Sequence, residues 1–189
     1  MAPHRARAGL TVCLIGPECT GKTTLARQLA AHFGVPWVPE FVREYAERVR
    51  RPLTVEDVEP IAMGEIALLD AAPGDGLLIL DTDLISTMVY SRHYYGGCPE
   101  WIVAEASARR ADLYLLTGID VPWSGDDVRD SAEARSILHR AFASALDVLD
   151  VRVVEISGPE EDRVAAAVKE IGHAEPLTRR REDAKTRSS

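Results

Sequence analysis

Short apolar runs alternate with amphipathic stretches from residue 10 to residue 171. The runs at 10–15, 37–39, 77–81, 113–116 and 151–156 predict five strands. Leu77-Leu78-Ile79-Leu80 and Leu113-Tyr114-Leu115-Leu116 are apolar at consecutive positions, the pattern of strands buried on both faces of a parallel sheet. Between the runs the spacing predicts helices near 22–33, 41–50, 55–71, 84–94, 100–110, 131–149 and 160–171. The first places Leu25, Ala26, Leu29, Ala30 and Phe33 on one face, and Gly34 followed by Pro36 stops it. Thr54, with Asp57 three residues on, marks the start of the third helix. Strand–helix alternation of this kind predicts an α/β fold, a mainly parallel five-stranded sheet flanked by helices.

Composition narrows the picture. The 189 residues are 46% hydrophobic and 28% charged, which suits one ordered domain, assigned to 10–172. Residues 1–9 and 173–189 lack periodic apolar positions and are expected to be flexible tails. Net charge is −8 and no basic cluster interrupts the domain, so no nucleic-acid partner is expected. No apolar run reaches the ~18 residues of a membrane span, and no apolar signal segment follows His4, Arg5 and Arg7. A cytoplasmic protein with no membrane association is therefore expected. Cysteines at 13, 19 and 98 fit no metal or disulfide spacing. Nothing in the sequence sets the oligomeric state.

The chemistry starts at Gly16-Pro17-Glu18-Cys19-Thr20-Gly21-Lys22-Thr23, a match to G-x-x-x-x-G-K-[ST] between a predicted strand and a predicted helix. Glycines let such a loop curl its amides around phosphate oxygens, and the helix behind it directs its positive end at the same anion. Gly16, Glu18, Cys19, Thr20, Gly21, Lys22, Thr23 and Thr24 are the candidate ATP-binding residues. Lys22 would reach the β- and γ-phosphates, and the Thr23 hydroxyl would ligate Mg²⁺. Asp81 ends a buried strand, where α/β proteins bind ligands, and is the second candidate Mg²⁺ residue. Thr82 follows it, where many ATPases that activate water carry Glu, so transfer to a bound hydroxyl is favoured over hydrolysis. Guanine-reading proteins carry Asn-Lys-x-Asp after a later strand; Thr117-Gly118-Ile119-Asp120 keeps only the Asp.

A kinase of small molecules needs a carboxylate beside the acceptor hydroxyl. Glu40, after the second strand, and Asp83 are the two candidates, and the alternative for Asp83 is a helix cap. Arg43 would contact a phosphate or steady Glu40; its bland alternative is a surface ion pair. Residues 118–135 are polar and broken by Pro122 and Gly125, as in a lid that closes over ATP. Arg129 is its candidate charge-stabilising arginine, with Arg135 and Arg140 further on. Adenine is expected near residues 157–160, after the fifth strand.

Taken in order, Gly16-Pro17-Glu18-x-Thr20-Gly21-Lys22-Thr23, Glu40-x-x-Arg43-Glu44, Asp81-Thr82-Asp83 and Trp123-x-x-Asp126-Asp127-x-Arg129 resemble the ribosylnicotinamide kinase domain of the NadR-type family. The resemblance runs over roughly 10–172. It implies a P-loop fold of the nucleoside-kinase kind and ATP- and Mg²⁺-dependent phosphorylation of the 5′-hydroxyl of nicotinamide riboside. Larger relatives carry an adenylyltransferase domain ahead of the kinase, so the kinase step alone is expected here. Cys19 stands where Ser is common, Pro39 where an aromatic precedes the motif Glu, and Val128 follows the Asp pair. Another nucleoside or a vitamin alcohol as acceptor, or a non-catalytic ATP-sensing module, stays open at this point.

Overall fold

The computed structural model describes residues 8–121 and 132–174. Five strands form one sheet: β1 (Thr11–Ile15), β2 (Trp37–Val38), β3 (Leu78–Asp81), β4 (Leu113–Thr117) and β5 (Arg152–Ile156). Their order is β2-β3-β1-β4-β5, and every pairing is parallel. Among the described residues seven α-helices flank the sheet: α1 (Lys22–Phe33), α2 (Phe41–Val49), α3 (Val58–Ala71), α4 (Leu84–Tyr95), α5 (Glu100–Ala108), α6 (Ala132–Asp147) and α7 (Glu160–Gly172). A 3₁₀ turn at Val55–Asp57 leads into α3. There the Thr54 amide donates to Asp57 Oδ2 at 2.8 Å, the start signal read from the sequence. β2 is shorter than expected; only Trp37 and Val38 pair with β3, because Pro39 has no amide to continue the ladder.

Side chains that alternate along the strands feed two separate cores. Val12 and Leu14 of β1, Ile79 of β3 and Leu113 and Leu115 of β4 pack against Leu25 and Leu29 of α1 and Ala167 and Ile171 of α7. Cys13, Ile15, Leu78, Leu80, Tyr114 and Leu116 point the other way, toward α3, α4, α5 and α6, where Ile85, Ile102, Leu138 and Phe142 are buried. A layer of helices on each face is why β1, β3 and β4 read as continuous apolar runs. Gly34 and Gly96 end α1 and α4 in the left-handed conformation, at φ 63° and 77°. The register pairs Leu14 with Asp81 and Leu14 with Leu115, so the C-terminal ends of β3, β1 and β4 lie side by side. The loops that leave those ends carry the candidate residues.

Candidate active site

The phosphate loop leaves β1 at Gly16, whose φ is 138°. A Cβ there would lie 2.6 Å from the Thr117 hydroxyl, so only glycine lets the loop pass the end of β4. Cys19 and Gly21 are also left-handed, at φ 56° and 83°. Such reversals gather successive amides into a concave anion site. The Thr20 hydroxyl donates to the Pro17 carbonyl at 2.8 Å and lies 2.7 Å from Thr117 Oγ1. Lys22 is buried, and its ammonium donates to the Pro17 carbonyl at 2.6 Å. Burial lowers its pKa, while the carboxylates of Glu40, Asp81 and Glu18 act against that fall. Glu18, Cys19, Gly21 and Thr24 are exposed around the loop.

Thr23 Oγ1 donates to Asp81 Oδ2 at 2.7 Å. Asp81 is 1% exposed, and its Oδ1 has no hydrogen-bond partner among the described residues. Burial raises its pKa, and the Thr23 bond opposes the rise. A hydroxyl and a buried carboxylate with one oxygen to spare fit Mg²⁺, which takes few protein ligands and keeps waters and phosphate oxygens. Among the described residues no group of three or more His, Cys, Asp or Glu could form a metal cage. The next residue, Thr82, sits at φ 75°, a costly conformation for a β-branched side chain. Its amide donates to the Leu14 carbonyl at 3.1 Å, which fixes the turn between Asp81 and Asp83.

The two acceptor-side candidates part company here. Glu40 lines a cavity of about 430 Å³ together with Glu18, Thr82 and residues of α3 and α4. Arg43 Nε donates to Glu40 Oε2 at 2.7 Å; the Arg43 side chain is 61% exposed and that of Glu40 10%. Asp83 is turned into the fold. Its Oδ1 accepts the Ile85 amide at 3.0 Å and caps α4, and its Oδ2 accepts the Tyr114 hydroxyl at 2.6 Å. Burial pushes its pKa up to about 6. It is not among the described residues that line the cavity. The capping alternative for Asp83 is thus the one the geometry favours, because a strand-end carboxylate next to a helix start meets an amide before it meets solvent.

A second cavity, of about 570 Å³, lies beside Gly21, Thr24, Gly158, Pro159, Glu160 and Arg163. It includes the segment after β5 expected to hold adenine. Arg163 of α7 organises its floor. It donates to the Thr20 carbonyl at 2.8 Å and to the Gly158 carbonyl at 2.8 Å, and it pairs with Asp120. Asp120 in turn accepts the Gly158 amide at 2.6 Å. The phosphate loop, the end of β4 and the turn after β5 are thus tied to one guanidinium. Arg129, Trp123 and most of the expected lid lie outside the described residues. Arg135 of α6 is buried and donates to the Val121 carbonyl at 3.3 Å, so it belongs to the frame of that segment. Arg140 is exposed.

Sequence reading missed Arg163, Glu65 and Ser86. Two of them carried a signal. Arg163 is in helical phase with the buried Ala167 and Ile171, and Glu65 with the buried Ile61 and half-buried Leu69. A charged residue on a core-facing stripe is held there by a specific partner or a cavity. Glu65 Oε2 accepts the Thr87 hydroxyl at 2.8 Å and lines the cavity of Glu40. Burial raises its pKa to about 8; the Thr87 bond opposes the rise, and the charges of Asp83 and Glu40 reinforce it. Ser86 had no signal, since a serine near a helix start is common.

Comparison with known proteins places this geometry among relatives. A family model described as AAA domain matches residues 11–163. The trifunctional NAD biosynthesis/regulator protein NadR of Salmonella typhimurium is 28% identical over 142 residues, covering 72% of this chain and 34% of that protein. The chain therefore spans about a third of the length of that curated relative. A NadR structure in complex with NR superposes with TM-score 0.72 at 24% identity, covering 89% of this chain and 54% of that one. Another, in complex with NAD and AMP-PNP, gives 0.67 at 25% identity, covering 87% and 49%. Thymidylate kinase from Ehrlichia chaffeensis gives 0.63 at 13% identity, covering 86% and 98%, a likeness of fold alone. The NadR resemblance read from the motifs is borne out, as is the five-stranded P-loop fold. Among the described residues no helix is long and apolar enough to cross a membrane.

Proposed function

The chain belongs to the AAA-domain family, and on that premise we propose that it transfers the terminal phosphoryl group of MgATP to the 5′-hydroxyl of a nucleoside, with nicotinamide riboside as acceptor and nicotinamide mononucleotide as product. One observation carries this reading: two ligand-sized cavities border the same phosphate loop. The cavity of Glu40 and Thr82 adjoins the loop at Glu18, on the β2–β3 side of β1. The cavity of Asp120 and Gly158 adjoins it at Gly21, on the β4–β5 side. A donor in the second and an acceptor in the first would meet at the loop, the arrangement group transfer requires. A regulatory module that only senses ATP has no use for the first cavity.

Within that arrangement each residue has a physical task. The loop amides and Lys22 would hold the donor phosphates, and Arg163 keeps the loop in register with the adenine side. Thr23 and Asp81 would hold Mg²⁺, which would supply positive charge against the phosphates. Glu40, steadied by Arg43, orients the acceptor hydroxyl and accepts its proton as the oxygen attacks the γ-phosphorus and the bond from that phosphorus to the bridging oxygen breaks, releasing ADP. Arg43 and Arg129 would offset charge on the transferring group. Asp83 acts at one remove, by holding the start of α4 and hence the cavity wall. Thr82, following Asp81, is no base, so water is not activated there. Most of the rate gain comes from positioning and fixed charge. The ligands of the NadR structures, NR in one and NAD with AMP-PNP in the other, support a nucleoside and an ATP-like donor.

The test is an ATP-consumption assay of the full chain with nicotinamide riboside, ordinary nucleosides and small vitamins, with the product identified by mass. Nicotinamide riboside should give its 5′-phosphate, and consumption should need Mg²⁺. Tight ATP binding with no acceptor-dependent consumption would overturn the kinase reading in favour of a sensor.

A further inference from the structure

One wall of the acceptor cavity is α4. Ser86, Tyr90 and Tyr94 recur there at every fourth residue and so lie on one helix face. At the rise of an α-helix, Ser86 to Tyr94 covers about 12 Å, comparable to a nucleoside. The Ser86 hydroxyl is buried, with the residue 4% exposed, yet it has no hydrogen-bond partner among the described residues. Glu65, from α3, lines the same space. No lysine, arginine or histidine is among the described residues lining the cavity.

Resting on the kinase reading above, we propose that Glu65 determines acceptor specificity: its carboxylate faces the base and selects a base that carries a permanent positive charge over a neutral base of the same shape. The Ser86 hydroxyl meets a polar substituent of the same ligand. Glu65 is half-buried in the cavity wall, and a carboxylate with little water around it is stabilised when a proton or a cation neutralises it. Thr87 supplies a hydrogen bond at 2.8 Å but no charge. Glu40 and Asp83 add like charge, and the Cys13 thiol on the same side is itself pushed up by burial. Tyr114, which bonds Asp83, is likewise held neutral by burial. Arg109, which lines a smaller cavity with Glu65 and Asp83, is already bonded to Glu105 and Asp70, so below a pKa raised to about 8 a proton neutralises Glu65 in the cavity by itself. A cationic base takes over that role and releases the proton; a neutral base does not.

The sign follows from linkage. Below about pH 8 the proton must leave before the cation binds, so affinity for the cation falls as pH falls, by up to about tenfold per unit. A neutral isostere gains nothing from the deprotonated form. Selectivity for charge thus rises with pH and levels off above the Glu65 value.

The experiment compares nicotinamide riboside with benzamide riboside, a neutral isostere with carbon in place of the charged ring nitrogen. For the full chain and Glu65→Gln, kcat/KM and calorimetric affinity (with a non-hydrolysable ATP analogue) are measured from about pH 6 to about pH 8.5. In the wild type the cation-to-neutral ratio should rise about tenfold or more across that range. Glu65→Gln keeps an acceptor for Thr87, and it should flatten the rise and cut the ratio at the upper pH about tenfold or more. A ratio independent of pH in the wild type, or undiminished in Glu65→Gln, overturns the inference and leaves the kinase reading intact. Charge-selective, Glu65-dependent binding without turnover supports the inference and overturns the kinase reading. Binding of neither nucleoside overturns both.

Discussion

The Thr23 hydroxyl and the Asp81 carboxylate, 58 positions apart in sequence, are joined at 2.7 Å. The first begins α1 behind the phosphate loop, and the second ends β3. Their contact links the loop to its neighbouring strand and leaves Asp81 Oδ1 with no partner among the described residues. Asp81→Asn keeps the shape but removes the one negative charge of the pair. It should lower kcat/KM about a hundredfold, equal to about 2.7 kcal/mol of barrier, and weaken the dependence of nucleotide affinity on Mg²⁺. Titration with Mg²⁺ at fixed ATP checks this; an unchanged Mg²⁺ response would remove Asp81 from the metal site.

Lys22 is buried beside three carboxylates and bonded to its own loop at Pro17. Lys22→Ala removes the buried ammonium that the loop holds at Pro17. Phosphorylated product should fall below detection in a mass-resolved assay while the fold is retained by circular dichroism. Product formation at the wild-type rate would refute its placement at the phosphates.

Glu40 and Asp83 should separate by kind of damage. Glu40→Gln should lower kcat about tenfold or more, equal to about 1.4 kcal/mol, with little change in melting temperature. Asp83→Asn should keep more of kcat and instead lower the melting temperature, since it weakens the Tyr114 and cap bonds. The reverse pattern in paired kinetics and melting curves would return the proton acceptor to Asp83.

Arg163 serves two carbonyls and a carboxylate at once, which a lysine cannot match geometrically. Arg163→Lys should raise KM for ATP more than KM for the acceptor. Arg163→Leu should also destabilise the fold, at about 1–3 kcal/mol for each buried carbonyl left unpaired. Equal effects on both KM values would mean that Arg163 does not act through the donor side.

Asp57 provides a pH readout of stability at the start of α3, beside Thr54 and Val58 of the cavity wall. Arg51 bonds it at 2.6 Å, the Thr54 amide at 2.8 Å and the Tyr45 hydroxyl at 2.8 Å, and its pKa lies well below the ordinary aspartate value. A depressed folded-state pKa contributes stability above the unfolded value of about 3.9 that is lost as pH falls. Asp57→Asn should therefore lower the melting temperature at neutral pH by several degrees (roughly 2–4 °C per kcal/mol for this size). The gap from wild type should close as the pH drops below about 4. A gap that holds constant down to acid pH would mean that packing, not charge, accounts for it.

The alternation of apolar runs and helical spacing, the glycine pattern of residues 16–23 and the acid at the end of the third run were all legible in the sequence. Each depends on local rules: a buried strand needs a run of apolar residues, a curled loop needs glycine, and a strand-end carboxylate needs only its position. Asp83 shows the limit of such reading. Its spacing fits both a cap and a substrate contact, and only the nearby Tyr114 hydroxyl, 31 positions away, turns it inward.

What the chain alone determined is therefore the set of elements and the phosphate loop, because periodicity and backbone freedom act over a few residues. The tertiary structure decided which charges meet. It brought Arg163 under Thr20 from 143 positions away, tied Thr23 to Asp81, and set Glu65 beside Glu40 across one cavity. Those encounters depend on the order of the strands and the angle of each helix on the sheet. Neither is written in the spacing of any single segment, because both come from the packing of two helical layers on one twisted sheet.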